Sequence, residues 1–143
     1  MRNLEMARDY AQRAARCLRE AQLALTEGDP PMAARRSQEA LELAVKALLR
    51  ALGIEYPRSY DVSDALLEHR GRLPQPIRGK VEDLARLVSD LAAVRGPAFY
   101  GYEREGIPAS RAFTGSYAER VYRRVEEYVT EIKRLIDALP QED

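Results

Sequence analysis

Residues 37–53, "SQEALELAVKALLRALG", decide the fold. Alanine, leucine and valine recur there at steps of three and four, the period of an α-helix. Along the helix that contains this segment, polar residues form one narrow strip: Arg35, Glu39, Glu42, Lys46 and Arg50. A helix apolar around so much of its girth lies at the centre of a bundle, or faces a partner chain as well as its own core. It is expected to run from about Pro31 to Leu52, with Gly53 as its stop.

Upstream, Leu4, Ala7, Ala11, Ala14, Leu18, Ala21 and Leu25 form a single apolar stripe. Gly28 follows as a C-terminal stop, Asp29 as an N-cap and Pro30 as the first helical residue. "EGDPP" is therefore a tight joint between two antiparallel helices. Downstream, "IEYPRSYDVSDALLEHRG" reads as a loop and a short helix. Asp61 and Asp64 have capping-box spacing, Ala65, Leu66 and Leu67 supply the apolar face, and His69 and Arg70 suit the last turn before Gly71. "LPQPIRG" is a linker. A fourth helix carries Val81, Leu84, Val88 and Leu91 on one seam, and Arg95 is the next position on it. The last helix opens on a Ser116–Glu119 capping box, carries Tyr117, Val121, Val125, Tyr128, Ile132, Leu135 and Leu139, and closes at Pro140.

The expectation is an all-α fold: an up-and-down bundle of four long helices plus one short helix, forming one domain over residues 1–143. The chain is 45% hydrophobic and 32% charged, a globular composition. Its formal net charge is zero, which argues against DNA or broad nucleic-acid binding. One cysteine, Cys17, allows no internal disulfide and reads as a small core residue. One histidine and one cysteine exclude the usual zinc cluster. No phosphate loop, G-x-S-x-G, H-E-x-x-H or inward carboxylate motif occurs, so no cofactor or metal is expected. No apolar run approaches the roughly 20 residues of a membrane span, and a cytoplasmic protein is expected. Few amides and many charges fit a thermophile.

What remains is "VRGPAFYGYERE", residues 94–105, at the head of an expected loop over residues 96–115. Loops of that length in compact domains are functional or disordered. This one holds Phe99, Tyr100, Tyr102 and Phe113, together with Arg104 and Arg111. Arg95 continues an apolar seam and needs an anion or a carbonyl there. Arginines with tyrosines suit a phosphate and a nucleotide base, which makes Arg95, Tyr100, Tyr102 and Arg104 the candidate binding residues. The alternative is that the aromatics plug one end of the bundle while the arginines are solvated.

The layout as a whole resembles the HEPN family (higher eukaryotes and prokaryotes nucleotide-binding) in its small stand-alone form. The residues that carry the resemblance are "SQEALELAVKALL", "GIEYP" and "SYDVSDALL", within residues 37–67, followed by a helix ending in arginine and aromatics. The resemblance implies a dimerising helical bundle. It also implies a role beside a minimal nucleotidyltransferase or in toxin–antitoxin and RNA-processing systems. Catalytic members of the family are metal-independent ribonucleases that use an arginine and, a few residues on, a histidine. Here Arg95 matches the arginine, Gly96 stands at the polar position, and Tyr100 stands where the histidine would be. Tyr60 replaces a second family-typical histidine. A phenol with a pKa near 10 is a poor base at pH 7.

Three readings follow. The first is a non-catalytic dimeric module that binds a nucleotide or phosphate and partners a nucleotidyltransferase. The second is a ribonuclease acting on RNA with a degenerate Arg95–Tyr100 pair. The third is a purely structural partner-binding bundle. The girth of the second helix is an argument for the dimer.

Overall fold

The computed structural model describes residues 3–140. Helix α1 spans Leu4–Thr26 and α2 spans Pro30–Ala51. Asn3 caps α1 by accepting from the Met6 N–H, and Asp29 caps α2 by accepting from the Met32 N–H, with Pro30 at the first position. Gly28 turns the joint at φ 74°, in the left-handed region, as its position predicts. The facing stripe of α1 is small: Leu4, Ala7, Ala11, Ala14 and Ala21 are buried, which lets α1 lie close against α2.

Helix α2 is the centre of the bundle and packs on α1, on α4 (Val81–Tyr100) and on α6 (Gly115–Asp137). Its buried positions, among them Ala33, Ala40, Leu41, Val45, Ala47, Leu48 and Leu49, span an arc of roughly 200° around the helix. Three neighbours within the chain cover that arc, so the girth of α2 gives no reason for a second chain. The polar strip of Arg35, Glu39, Glu42, Lys46 and Arg50 lies on the remaining side, as expected.

Helix α6 buries Val121, Tyr122, Val125, Tyr128, Val129, Ile132 and Ile136 against α1 and α2. The short α3 (Ser63–Glu68) packs on α4 and buries Ala65 and Leu66. Single 3₁₀ turns at Arg70–Arg72 and Arg78–Lys80 fill the linker. A four-residue α5 (Ala109–Ala112) precedes α6. Among the described residues there is no strand, and Tyr102 and Ile107 form an isolated antiparallel bridge.

Both downstream capping boxes are corrected. Asp61 accepts from the N–H and the hydroxyl of Ser63, two residues on, and α3 starts after it without a side-chain cap. Thr114, not Ser116, caps α6 by accepting from the Tyr117 N–H, and Glu119 pairs with Arg123 instead. Asp61 thus spends its carboxylate on a turn with Ser63, while at α6 the Thr114 hydroxyl takes the backbone donor in place of Ser116.

Cys17 is half-buried against the core. Burial pushes its thiol up, with Glu39 and Glu20 adding to the effect, so it fits a packing role. Asp83 of α4 accepts from the Tyr128 hydroxyl and pairs with Arg124 at 2.9 Å, which joins α4 to α6. The bond from Tyr128, aided by Arg124 and opposed by desolvation, holds the Asp83 carboxyl below its usual 3.8. A lowered carboxylate pKa stabilises the fold at pH values above the unfolded one, and that stabilisation is lost as pH falls through the folded value. Asp83→Asn is therefore expected to flatten the decline of the thermal midpoint below about pH 4. A circular-dichroism melt series with an unchanged acid limb would contradict this.

Candidate functional site

The helix carrying Arg95 does not end there. It continues through Gly96 and Pro97 to Tyr100. A proline inside a helix normally excludes the α conformation of the residue before it, through a clash with that residue's Cβ. Gly96 has no Cβ, so that clash does not arise and the helix can continue into Pro97. Buried Ala98 then packs with Ala34 and Phe113 and holds the final turn in place. The expected loop over residues 96–115 is corrected to a short hairpin and α5.

Arg95 lies on the α2–α4 seam with its side chain about one-fifth exposed. Its Nη1 donates to Gln38 Oε1 at 2.7 Å, and Gln38 is itself 2% exposed. Glu42 lies 3.6 Å away and Glu39 3.8 Å. The guanidinium also sits over the Tyr60 ring, 4.2 Å from its centroid. Gln38 is oriented in turn by donating to Glu42 at 3.0 Å. A second arginine, Arg35, donates to the Arg95 carbonyl at 2.7 Å and stacks on Phe99. Two arginines and two glutamates therefore compensate each other along this seam.

Tyr100 and Arg95 are five residues apart on one helix, about 140° around it. Among the described residues no bond, ion pair or ring contact links Arg95 to Tyr100, Tyr102 or Arg104. Phe99, Tyr100 and Tyr102 are 47%, 66% and 40% exposed, and Phe99 and Tyr100 meet edge to face at the end of α4. Tyr102 also stacks on Phe113, and Arg104 is exposed in the hairpin turn that Tyr102 and Ile107 close. The sequence-derived set thus divides in two: Arg95 on the α2 seam, and Tyr100, Tyr102 and Arg104 on the outer end. His69 is the C-cap of α3, where its N–H bonds the Ala65 carbonyl.

Beyond Tyr60 opens a groove lined by Tyr10, Lys46, Arg50, Tyr56, Arg58, Ser59 and Tyr60, about 680 Å³ in volume. Arg50 Nε donates to the Tyr56 hydroxyl at 2.9 Å and lies over the Tyr10 and Tyr56 rings. Lys46 bonds Glu42 at 2.9 Å. The polar strip of α2 and the tyrosines of "EYPRSYD" point toward this groove, but only the fold places Tyr10 beside them. Among the described residues no cluster of acidic, histidine or cysteine side chains could hold a metal ion. No helix there is long and apolar enough to cross a membrane.

No curated protein and no solved structure matches the chain. The family model for the HEPN domain matches residues 7–135, from within the first turn of α1 through most of α6. With that match over nearly its whole length and an all-α bundle of four long helices, the chain belongs to the HEPN domain family.

Proposed function

We propose that this chain is a non-catalytic HEPN module that forms a homodimer, binds a phosphate-bearing ligand beside Arg95, and serves as accessory partner to a nucleotide-handling chain. The partner class we favour is a minimal nucleotidyltransferase in a toxin–antitoxin-like pair. The observation that carries the reading is the setting of Arg95. Gln38 and Tyr60 hold the guanidinium in place on the α2 seam, while the residue at the family's base position, Tyr100, is on another side of α4. Among the described residues the guanidinium makes one direct hydrogen bond, to Gln38, which leaves N–H donors for an anion even with Glu42 and Glu39 nearby, but it has no imidazole beside it to move a proton. The exposed face of Phe99, Tyr100 and Tyr102 is the surface we assign to the second protomer or the partner chain, with Arg104 on its rim.

Calorimetric titration of AMP tests the ligand claim. Wild type is expected to bind, and Arg95→Ala to bind roughly tenfold or more weakly. Equal affinity in a folded Arg95→Ala protein would remove Arg95 from the site. Light scattering at micromolar concentration is expected to give the mass of two chains. The mass of one would overturn the dimer.

A further inference from the structure

The phosphate-bearing ligand has a place on this surface that no motif indicates. We infer that the groove of Tyr10, Lys46, Arg50, Tyr56, Arg58 and Tyr60 takes a planar ring carrying a phosphate: a free mononucleotide, or one nucleotide of a single-stranded RNA. This deepens the reading above and rests on it. It locates the ligand's ring and phosphate in the groove next to Arg95, whose guanidinium backs the Tyr60 ring.

Charge is the first argument. Among the described residues three cations line the groove and no carboxylate does. Glu42, bonded to Lys46 from outside the lining, neutralises one of them. A positive excess therefore remains locally in a chain whose formal net charge is zero. Among the described residues Arg50 pairs with no carboxylate; its partners are the Tyr56 hydroxyl and two tyrosine rings. Its remaining N–H donors suit phosphate oxygens, which accept in the planar fork geometry that guanidinium offers.

Shape is the second. A bare anion needs no flat apolar walls, yet three tyrosines line this groove. Tyr60 is 55% exposed even though the Arg95 guanidinium covers one face of its ring. The opposite face is left to stack on a base, with Arg95 polarising the ring from behind. A volume of about 680 Å³ lies within the range of small-ligand pockets. Lys46 and Arg50 stand one turn apart on α2, so the cationic wall is rigid, while Tyr56, Arg58 and Tyr60 come from the loop before α3.

The test uses the full chain with two probes: AMP by calorimetry, and a fluorescein-labelled ten-nucleotide single-stranded RNA by polarisation. Wild type is expected to bind at least one. Binding of AMP identifies a free nucleotide as sufficient, and binding of RNA alone identifies the polymer; either supports the groove when the variants respond. Arg50→Gln and Lys46→Gln are expected to weaken binding roughly tenfold or more, and exposed Arg58→Gln several-fold. Tyr60→Leu is expected to weaken AMP or RNA but not inorganic pyrophosphate, whose contact is with the cations. Arg19→Gln, on the exposed side of α1, controls for loss of charge alone and is expected to bind as wild type does. Circular dichroism confirms the fold of each variant, and Arg58→Gln removes no bond among the described residues. Equal affinity for wild type and all groove variants would overturn the groove and leave the Arg95 reading standing. Absence of binding of both probes to wild type would overturn that reading and the groove together.

Discussion

Gly101→Ala is expected to destabilise the protein by about 3 kcal/mol or more and to lower the thermal midpoint by about 10 °C. Gly101 adopts φ 73° and ψ −166°, a region open in practice to glycine alone. A Cβ added there would meet the Ile107 carbonyl oxygen at 2.3 Å, the Ala109 nitrogen at 2.8 Å and the Pro108 carbonyl carbon at 3.0 Å. All three are backbone atoms, so no side chain can swing away. The same residue ends α4 by donating its N–H to the Pro97 carbonyl at 2.8 Å. It also starts the hairpin closed by the paired Tyr102 and Ile107 bonds. Strain at Gly101 therefore reaches the Tyr102–Phe113 stack and the Ala34–Ala98–Phe113 cluster. A melt followed by circular dichroism measures it. A shift under about 2 °C would show that the hairpin is not held to α4 as described.

Leu41→Ala and Leu49→Ala are each expected to cost about 2–5 kcal/mol. Leu41 and Leu49 are 1% and 0% exposed and project about 80° apart on α2. Removing either leaves a cavity walled by neighbouring helices of the same chain, because α1, α4 and α6 surround the apolar arc of α2. The loss is accordingly expected to be the same at every protein concentration, since no subunit contact is broken. Denaturant titration of each variant at two concentrations, tenfold apart, checks both points. A loss that shrinks as concentration rises would show that a second chain covers this part of α2 after all.

The course of the bundle was legible because its signals are periodic and repeated. The stripe of Leu4, Ala7, Ala11 and Ala14, the girth of α2 and the seam of α6 each rest on many residues, and one exception does not disturb them. The Gly28–Asp29–Pro30 joint was legible because each of the three residues has one conformational use there. The end of α4 was not. Gly-Pro usually stops a helix, and the reason it does not here is tertiary: Ala98 packs on Ala34 and Phe113, elements far apart in the chain. The cap expected at Ser116 falls to Thr114 because either hydroxyl can reach the same donors, and Asp61 forms a turn with Ser63 instead of capping α3. Arg95 was legible as an arginine on an apolar seam, but its partners Gln38, Glu42 and Tyr60 sit on α2 and in the loop before α3. The groove beyond Tyr60 depends on Tyr10, which no local pattern connects to Arg50.

The most direct measurement is an amide NMR titration of the isotope-labelled protein with AMP. Shift changes are expected at Lys46, Arg50, the segment from Tyr56 to Tyr60, and Arg95. Changes confined to Tyr100, Tyr102 and Arg104, or no changes with either AMP or the ten-nucleotide RNA, would overturn the groove.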